Sequence, residues 1–301
     1  MRPGDCPCGE GRCLSLIELK NVTYIYGKGA PYEKKALDEV SLTVNDSEIT
    51  GIIGHTGSGK STLVQLLNGL LKPDSGQILL DGKDIWEDAK KIGQVRFRVG
   101  LVMQYPEYQL FDDTVRSDIG FGPRNMGMTK DEVAAAVTDA ARFAGLSETL
   151  LDKSPFDLSG GQKRRAALAG VIAMHPSVLV LDEPAAGLDP GGRREILGRI
   201  KTYQRESGTS VIIVSHSMED MAMYCDRVVV MTNGKTAMTG TPAEIFSRAE
   251  ELYAAGLDVP QITKVARELR KCGVDIGLDI YTVGFAAERL TDRYPPAERK
   301  I

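Results

Sequence analysis

Ile49-Thr50-Gly51-Ile52-Ile53-Gly54-His55-Thr56-Gly57-Ser58-Gly59-Lys60-Ser61-Thr62 decides the fold. Ile49 to Ile53 has the length and apolarity of a buried strand, and it runs straight into a glycine-rich turn. After the turn, Leu63, Leu66, Leu67 and Leu70 recur at helical spacing on one face. Strand, turn and helix frame the pattern GxxxxGK[ST] over Gly54 to Ser61, which is the context the pattern needs to cradle phosphates. The glycines let backbone N–H groups turn inward around phosphate oxygens without Cβ clashes. Lys60 would bridge β- and γ-phosphates, and the Ser61 hydroxyl would be a ligand of Mg²⁺. The helix N-terminus adds its partial positive charge. The expected ligand is therefore a nucleotide with Mg²⁺, held by residues 54–62, and the motif alone leaves the enzyme class open.

Outward from this turn, strands and helices alternate, which points to an α/β fold with a parallel sheet covered by helices. Upstream, Ile17-Glu18-Leu19 and Val40 to Val44 read as short period-two strands joined by an exposed loop, Gly27 to Lys35. Downstream, residues 84–151 read as mostly helical, with Thr129 as a cap for Asp131 to Ala144. A helix is expected from Gln162 to Met174 and another from Gly192 to Glu206, the latter flanked by short apolar strands. Val178-Leu179-Val180-Leu181-Asp182-Glu183 is one such strand, ending in two acids. In a phosphate-cleaving enzyme Asp182 would orient Mg²⁺, and Glu183 would polarise the attacking water. Asp-Glu at a solvated strand end is the plain alternative, and the pair alone does not decide between them.

The chain has 301 residues, 42% of them apolar, and a formal net charge of −4. No overall basic bias favours nucleic acid. No apolar run approaches the roughly 20 residues that cross a bilayer. Residues 1–12 lack the apolar core of a signal peptide, so the chain is expected in the cytoplasm, meeting a membrane only through a partner. Cys6, Cys8 and Cys13 cluster in a leader, 1–15, expected to be unstructured. Three thiolates without a nearby histidine fall short of a four-ligand zinc site. After Gly240 the character changes: Ile245, Ala249, Leu252 and Tyr253 mark one amphipathic helix, and Ile262, Val265, Ala266 and Leu269 another that stops at Gly273.

The stretch Leu158-Ser159-Gly160-Gly161-Gln162 separates the enzyme classes. Ser159 would cap a helix whose free N–H groups form a second anion site. LSGGQ resembles the signature of the ATP-binding cassette family. That resemblance implies a P-loop ATPase with a RecA-like parallel core, an antiparallel β subdomain and a helical signature subdomain near 105–165. It implies a cassette over 16–241 and a small helical extension over 242–301. In the family, Ser159, Gly160, Gly161 and Gln162 grip the γ-phosphate of ATP held by a second ATPase chain. The same resemblance makes Gln104 the glutamine that touches Mg²⁺ and the attacking water, and Asp189 of Gly187-Leu188-Asp189-Pro190 a dimer-interface residue. It makes His216 the switch histidine at the γ-phosphate and Tyr26 the ring that stacks on adenine. Ala185 and Ala186 depart from the more usual Thr-Ala or Thr-Ser.

Gln104-Tyr105-Pro106-Glu107-Tyr108-Gln109-Leu110-Phe111, continuing to Asp118 through Pro123, is similar to the ATPase subunits of energy-coupling factor transporters, importers of vitamins and transition-metal ions. Gln109, Leu110 and Phe111 are unusual in a solvated turn and suit an interaction groove, which in that family receives coupling helices of a transmembrane subunit. The loop Gly29 to Lys35 and His55-Thr56 resemble the second of its two ATPase types. The partners implied are another ATPase chain, a transmembrane subunit and, indirectly, a substrate-binding membrane subunit, with the chain peripheral on the cytoplasmic face. Chromosome-type cassettes insert a long coiled coil, whereas here about 100 residues without sustained heptads separate cradle and signature. Translation-type members carry two cassettes in one chain. An assembly scaffold or another transporter class is the remaining alternative.

Overall fold

The computed structural model describes residues 15–294. Cys6, Cys8 and Cys13 lie outside the described residues, as do residues 295–301. A six-stranded sheet forms the centre, in the order β10-β9-β3-β8-β7-β6. Its strands are β3 (Ile49–Gly54), β6 (Val99–Val102), β7 (Val178–Asp182), β8 (Ser210–Val214), β9 (Arg227–Thr232) and β10 (Lys235–Gly240). All neighbours are parallel except β10, which runs antiparallel to β9. A second, antiparallel sheet has the order β2-β1-β4-β5, from β1 (Ser15–Tyr26), β2 (Lys34–Asn45), β4 (Ser75–Leu80) and β5 (Lys83–Asp84).

The central strands alternate between two cores, because successive side chains leave a strand on opposite faces. Val178, Val180, Ile212, Val214 and Val229 point towards the antiparallel sheet and join Leu63, Leu66 and Leu67 of α1 (Lys60–Leu67). Leu179, Leu181, Val211, Ile213 and Val230 point the other way, into the helical layer. That layer contains α3 (Val115–Asn125), α4 (Lys130–Ala144), α5 (Gly160–Ile172), α6 (Pro190–Ser207) and α7 (Met218–Tyr224). Thr129 and Ser159 cap α4 and α5 through reciprocal bonds with Glu132 and Gln162, each box satisfying the backbone N–H of the cap and of the third helical residue. α5 therefore starts at Gly160, two residues before the helix start expected from the sequence.

Several expectations shift for physical reasons. β1 and β2 are 12 residues each, because pairing across the hairpin, with bulges, extends them beyond their alternating segments. The stretch 84–151 is not uniformly helical: the short α2 (Ile92–Arg98) runs directly into β6. The helix expected over Ile245 to Tyr253 is two, α8 (Pro242–Ser247) and α9 (Ala249–Ala254), because the backbone of Arg248 leaves the helical region at φ −92, ψ 48. Ile245, Phe246, Ala249 and Leu252 pack into the larger core. α10 (Gln261–Lys271) and α11 (Val283–Arg293) keep a small core of their own, built from Ala266, Ile276, Ile280 and Ala286. Among the described residues, no helix is long and apolar enough to cross a membrane.

Leu70 was expected on the buried stripe of α1. The helix ends at Leu67, Gly69 takes φ 68, and Leu70 is 43% exposed. Leu66 is fully buried between the sheets. Leu66→Ala is therefore expected to lower unfolding free energy by about 2–5 kcal/mol, and Leu70→Ala by less than about 0.5 kcal/mol. Chemical denaturation of the two variants side by side checks this, and equal losses would contradict the placement.

Candidate nucleotide site

The carboxyl ends of the parallel strands meet at one edge of the sheet. β3 ends at Gly54, Gln104 follows β6, Asp182 ends β7 and His216 follows β8. Register aligns them, since Asp182 pairs with Val214 and Val102 with Leu181. Here a cleft of about 410 Å³ opens. Tyr26, Thr56, Gly57, Gly59, Lys60, Ser61, Thr62, Gln104, Asp182, Glu183 and His216 all line it.

The turn is shaped by what a Cβ would strike. At Gly54 it would lie 2.4 Å from the Met231 carbonyl oxygen, and at Gly59, where φ is +102, 2.6 Å from that of Ala36. Gly57 also has a positive φ, yet nothing of this chain lies within 4 Å of its Cβ position. Its conformation thus serves the open cleft and not the core. Lys60 is buried and its Nζ donates to the carbonyls of Gly54 at 2.6 Å and His55 at 3.0 Å. Burial lowers its pKa, while the charges of Glu183 and Asp182 oppose the shift.

Asp182 and Glu183 differ although they are neighbours. Burial raises the pKa of Asp182, and the Ser61 hydroxyl, donating to it, partly offsets the rise. Ser61 and Asp182 thus line the cleft together, one hydroxyl and one carboxylate. Hard oxygen donors of this kind suit Mg²⁺. Glu183 sits at φ 52, a left-handed backbone held by its own N–H donating to Val214 O at 2.9 Å. Its pKa is pushed up to about 7, first by burial and then by the charge of Asp182. His216 Nε2 lies 3.3 Å from Glu183 Oε1. The angle does not make a hydrogen bond, and Oε1 is a buried oxygen with no hydrogen-bond partner. Burial, then the Lys60 charge, lowers the pKa of His216. The buried acceptor is thus left for a group that enters the cleft.

Tyr26 ends β1, and its hydroxyl is 3.2 Å from Thr62 Oγ1 while its ring meets the edge of Tyr24 at 4.9 Å. Its ring is 41% exposed at the cleft. Lys34, Ala36 and Val214 also line the cleft and were not foreseen. Lys34 arrives by pairing with Tyr26 across the β1–β2 hairpin, a register that no local pattern encodes.

The remaining candidates lie outside this cleft. His55 contributes its carbonyl to Lys60, and its Nδ1 faces its neighbour Thr56 O at 2.9 Å. Ser58 is buried behind the turn, with its Oγ unpartnered. Ser159, Gly160, Gly161 and Gln162 are not brought to the cleft of their own chain. Ser159 and Gly160 are exposed, and a Cβ at Gly160 would meet nothing within 4 Å. Asp189 is exposed and caps α6, accepting from Gly191 N and Gly192 N at 2.8 Å each.

Known proteins resemble this chain over most of its length. The family model described as ABC transporter matches residues 37–186. The energy-coupling factor transporter ATP-binding protein EcfA2 of Caldanaerobacter subterraneus subsp. tengcongensis is 52% identical over 91% of this chain and 96% of that protein. Its namesake from Symbiobacterium thermophilum is 53% identical over 89% and 92%. Among solved structures, cbiO1 of Clostridium perfringens, part of the ABC transporter complex cbiONQ, superposes with TM-score 0.72 at 39% identity, covering 86% of this chain and 97% of that one. The dimeric cassette MJ0796 bound to ADP and Pi superposes with TM-score 0.68 at 26% identity over 75% and 98%. With the glycine turn, Asp182, Glu183 and His216 at one cleft, a family model matching residues 37–186 and relatives of this identity along nearly its whole length, the chain belongs to the ATP-binding cassette family, as an ATPase of the energy-coupling factor type.

Proposed function

We propose that the chain binds Mg-ATP in the cleft between Tyr26, Lys60 and Glu183 and hydrolyses it only when a second cassette closes over that cleft. The observation that carries this is the separation within one chain. The cleft holds the cradle, both acids, Gln104 and His216, while the capped turn Ser159 to Gly161 does not line it and is exposed at Ser159 and Gly160. A helix N-terminus that binds phosphate is useful only where phosphate is. A partner's turn would therefore complete this site, and this chain's turn the partner's, with Asp189 at the seam.

Ser61, Asp182 and Gln104 would hold Mg²⁺, which when bound neutralises charge on the phosphates. This chain's own groups do the rest. Lys60 leaves its two carbonyls for the phosphates, and Tyr26 offers its exposed ring to the base. Glu183 accepts a proton from water as it attacks in line, and His216, beside it, fixes the geometry. Most of the acceleration comes from positioning and electrostatics.

The membrane-facing reading rests on the turn after Gln104. Tyr105 starts it in a left-handed backbone at φ 56, followed by Pro106–Gln109. Tyr108 and Phe111 are exposed, and Phe111 meets Phe121 of α3 edge to face at 5.0 Å. Adjoining exposed rings of this kind support a partner surface here. A coupling helix of a transmembrane subunit is proposed to dock there, placing the chain on the cytoplasmic face of the membrane. Vitamins or transition-metal ions are the proposed cargo class, selected by a separate membrane subunit. The proposed division is a cassette over 16–241 and a helical extension over 242–301.

Three measurements test this. Glu183→Gln is expected to slow hydrolysis at least 100-fold, about 2.7 kcal/mol of barrier, and to accumulate an ATP-bound dimer in size-exclusion chromatography. Unchanged turnover would remove Glu183 from its role. In the chelated, nucleotide-free protein the raised pKa of Glu183 sets a sign: the folded state holds the proton more tightly than the unfolded one between 4.5 and about 7, so stability falls as pH rises through that window. Glu183→Gln should accordingly raise the melting temperature at pH 8 and lose that advantage near pH 5. The same gain at both pH values would contradict the burial argument. Phe111→Ser should leave ATP binding by the purified chain unchanged and abolish its recovery with the membrane fraction; full recovery would move the docking site elsewhere.

A further inference from the structure

Arg164 stands on α5, two residues beyond Gln162, and no step above uses it. Its side chain is only 6% exposed. Nε and Nη2 donate to Oε2 and Oε1 of Glu107 at 3.2 and 2.9 Å, and Nη1 donates to the carbonyl of Ala186. Glu107 lies in the Pro106–Gln109 turn, three residues past Gln104, and its side chain is 17% exposed. Ala186 lies three residues past Glu183 and three before Asp189. One guanidinium thus joins the proposed docking turn, the helix that presents Ser159, and the segment between the catalytic acid and the dimer seam.

The chemistry makes this link stiff. A guanidinium is a planar fork that fits a carboxylate with two bonds and keeps further donors for a carbonyl. Drawing Glu107 away would strand a buried cation without its counter-ion, which is costlier than moving the three segments together. A neighbouring link, Arg165 to Glu195 of α6 at 2.7 Å, is more exposed and correspondingly weaker. Lysine at position 164 would keep the charge but not the fork.

We propose that Arg164 is the positioning residue that couples docking at the aromatic turn to assembly of both halves of the ATP site. A partner pressing on Tyr108 and Phe111 displaces Glu107. Through Arg164, the displacement reaches the Ser159 turn and the Glu183 to Asp189 segment at once. The inference rests on the transport reading above and adds the path by which the membrane subunit controls hydrolysis.

The test uses the complete membrane complex beside the purified full chain. Arg164→Met is expected to lower the melting temperature of the chain, since Glu107 loses its buried counter-ion. It should leave Mg-ATP affinity of the folded chain nearly unchanged, and lower kcat of the complex about 10-fold at constant KM. Arg164→Lys should recover part of the loss. Glu107→Ala should cause a similar fall, and combining it with Arg164→Met should add little, as for two ends of one link. Additive losses, a rise in KM that accounts for the effect, or full activity in Arg164→Met would overturn the proposal. Where Arg164→Met does not yield folded chain, Glu107→Gln carries the same comparison, because it keeps shape and weakens the charge pairing. Glu183→Gln in the same complex separates the two levels. If it hydrolyses normally the transport-ATPase reading fails; if it is silent while the Arg164 and Glu107 variants are normal, only the coupling path fails.

Discussion

Parallel register at one sheet edge is the constraint on which the site depends. Gly54, Gln104, Asp182 and His216 are far apart in sequence, and each is delivered by the carboxyl end of a different strand. Hydrogen bonding fixes those ends relative to one another, as in the pairing of Asp182 with Val214 and of Gly54 with Met231. A slip of one residue in β7 would turn Leu179 and Leu181 to the wrong core and withdraw the acids from the cleft. Ligands in open α/β sheets sit at such edges because strand ends, turns and helix N-termini converge there. Core packing and catalytic geometry are therefore one requirement, since the alternation that divides valines and leucines between two cores also sets where Asp182 points.

Against this rigid frame, unfavourable features collect at the cleft. Glu183 holds a left-handed backbone, which for a non-glycine residue costs of order 1–3 kcal/mol. Its Oε1 is buried without a hydrogen bond, and Lys60 is bent back onto two carbonyls. Ser58 Oγ, behind the turn, is also unpartnered. Each is a polar group removed from water and incompletely satisfied, which a folded chain tolerates where a ligand completes the set. The surrounding β7, β8 and β3 are almost wholly buried and hold these groups in place.

What the sequence showed, and what it hid, divides along the range of the interactions. The strand, turn and helix around Gly54 to Ser61 were legible because each element is encoded locally: an apolar run, glycines, then leucines at helical spacing. The capping of α4 by Thr129 and of α5 by Ser159 was legible for the same reason. Roles for Gln104, His216 and Tyr26 came through the family resemblance, since a lone glutamine, histidine or tyrosine carries no local signal. Lys34 was hidden because only the β1–β2 register brings it beside Tyr26. Leu70 was misread because helical spacing does not reveal where α1 stops, and Gly69 with positive φ stops it. Arg164 gave no sign, because its meaning lies in Glu107 and Ala186, 57 and 22 residues away.

Hidden contacts of this last kind have a common character. The cradle, the acids and the histidine are held by strands whose order is fixed, so their mutual geometry has little freedom to carry a signal. The helical layer is different: α5 meets the segment after Glu183 through a buried guanidinium, and α6 through surface ion pairs such as Arg165 with Glu195. Apolar contacts resist separation but tolerate sliding, whereas a forked pair to one carboxylate and one carbonyl defines direction. The proposed transfer of a push at the surface into the approach of Ser159 to another chain's phosphate calls for directional links between layers and a fixed site within one layer. The distribution of polar contacts in this chain suits both: a site built on strands, and a helix tied by Arg164 to the turn after Gln104 and to the segment after Glu183.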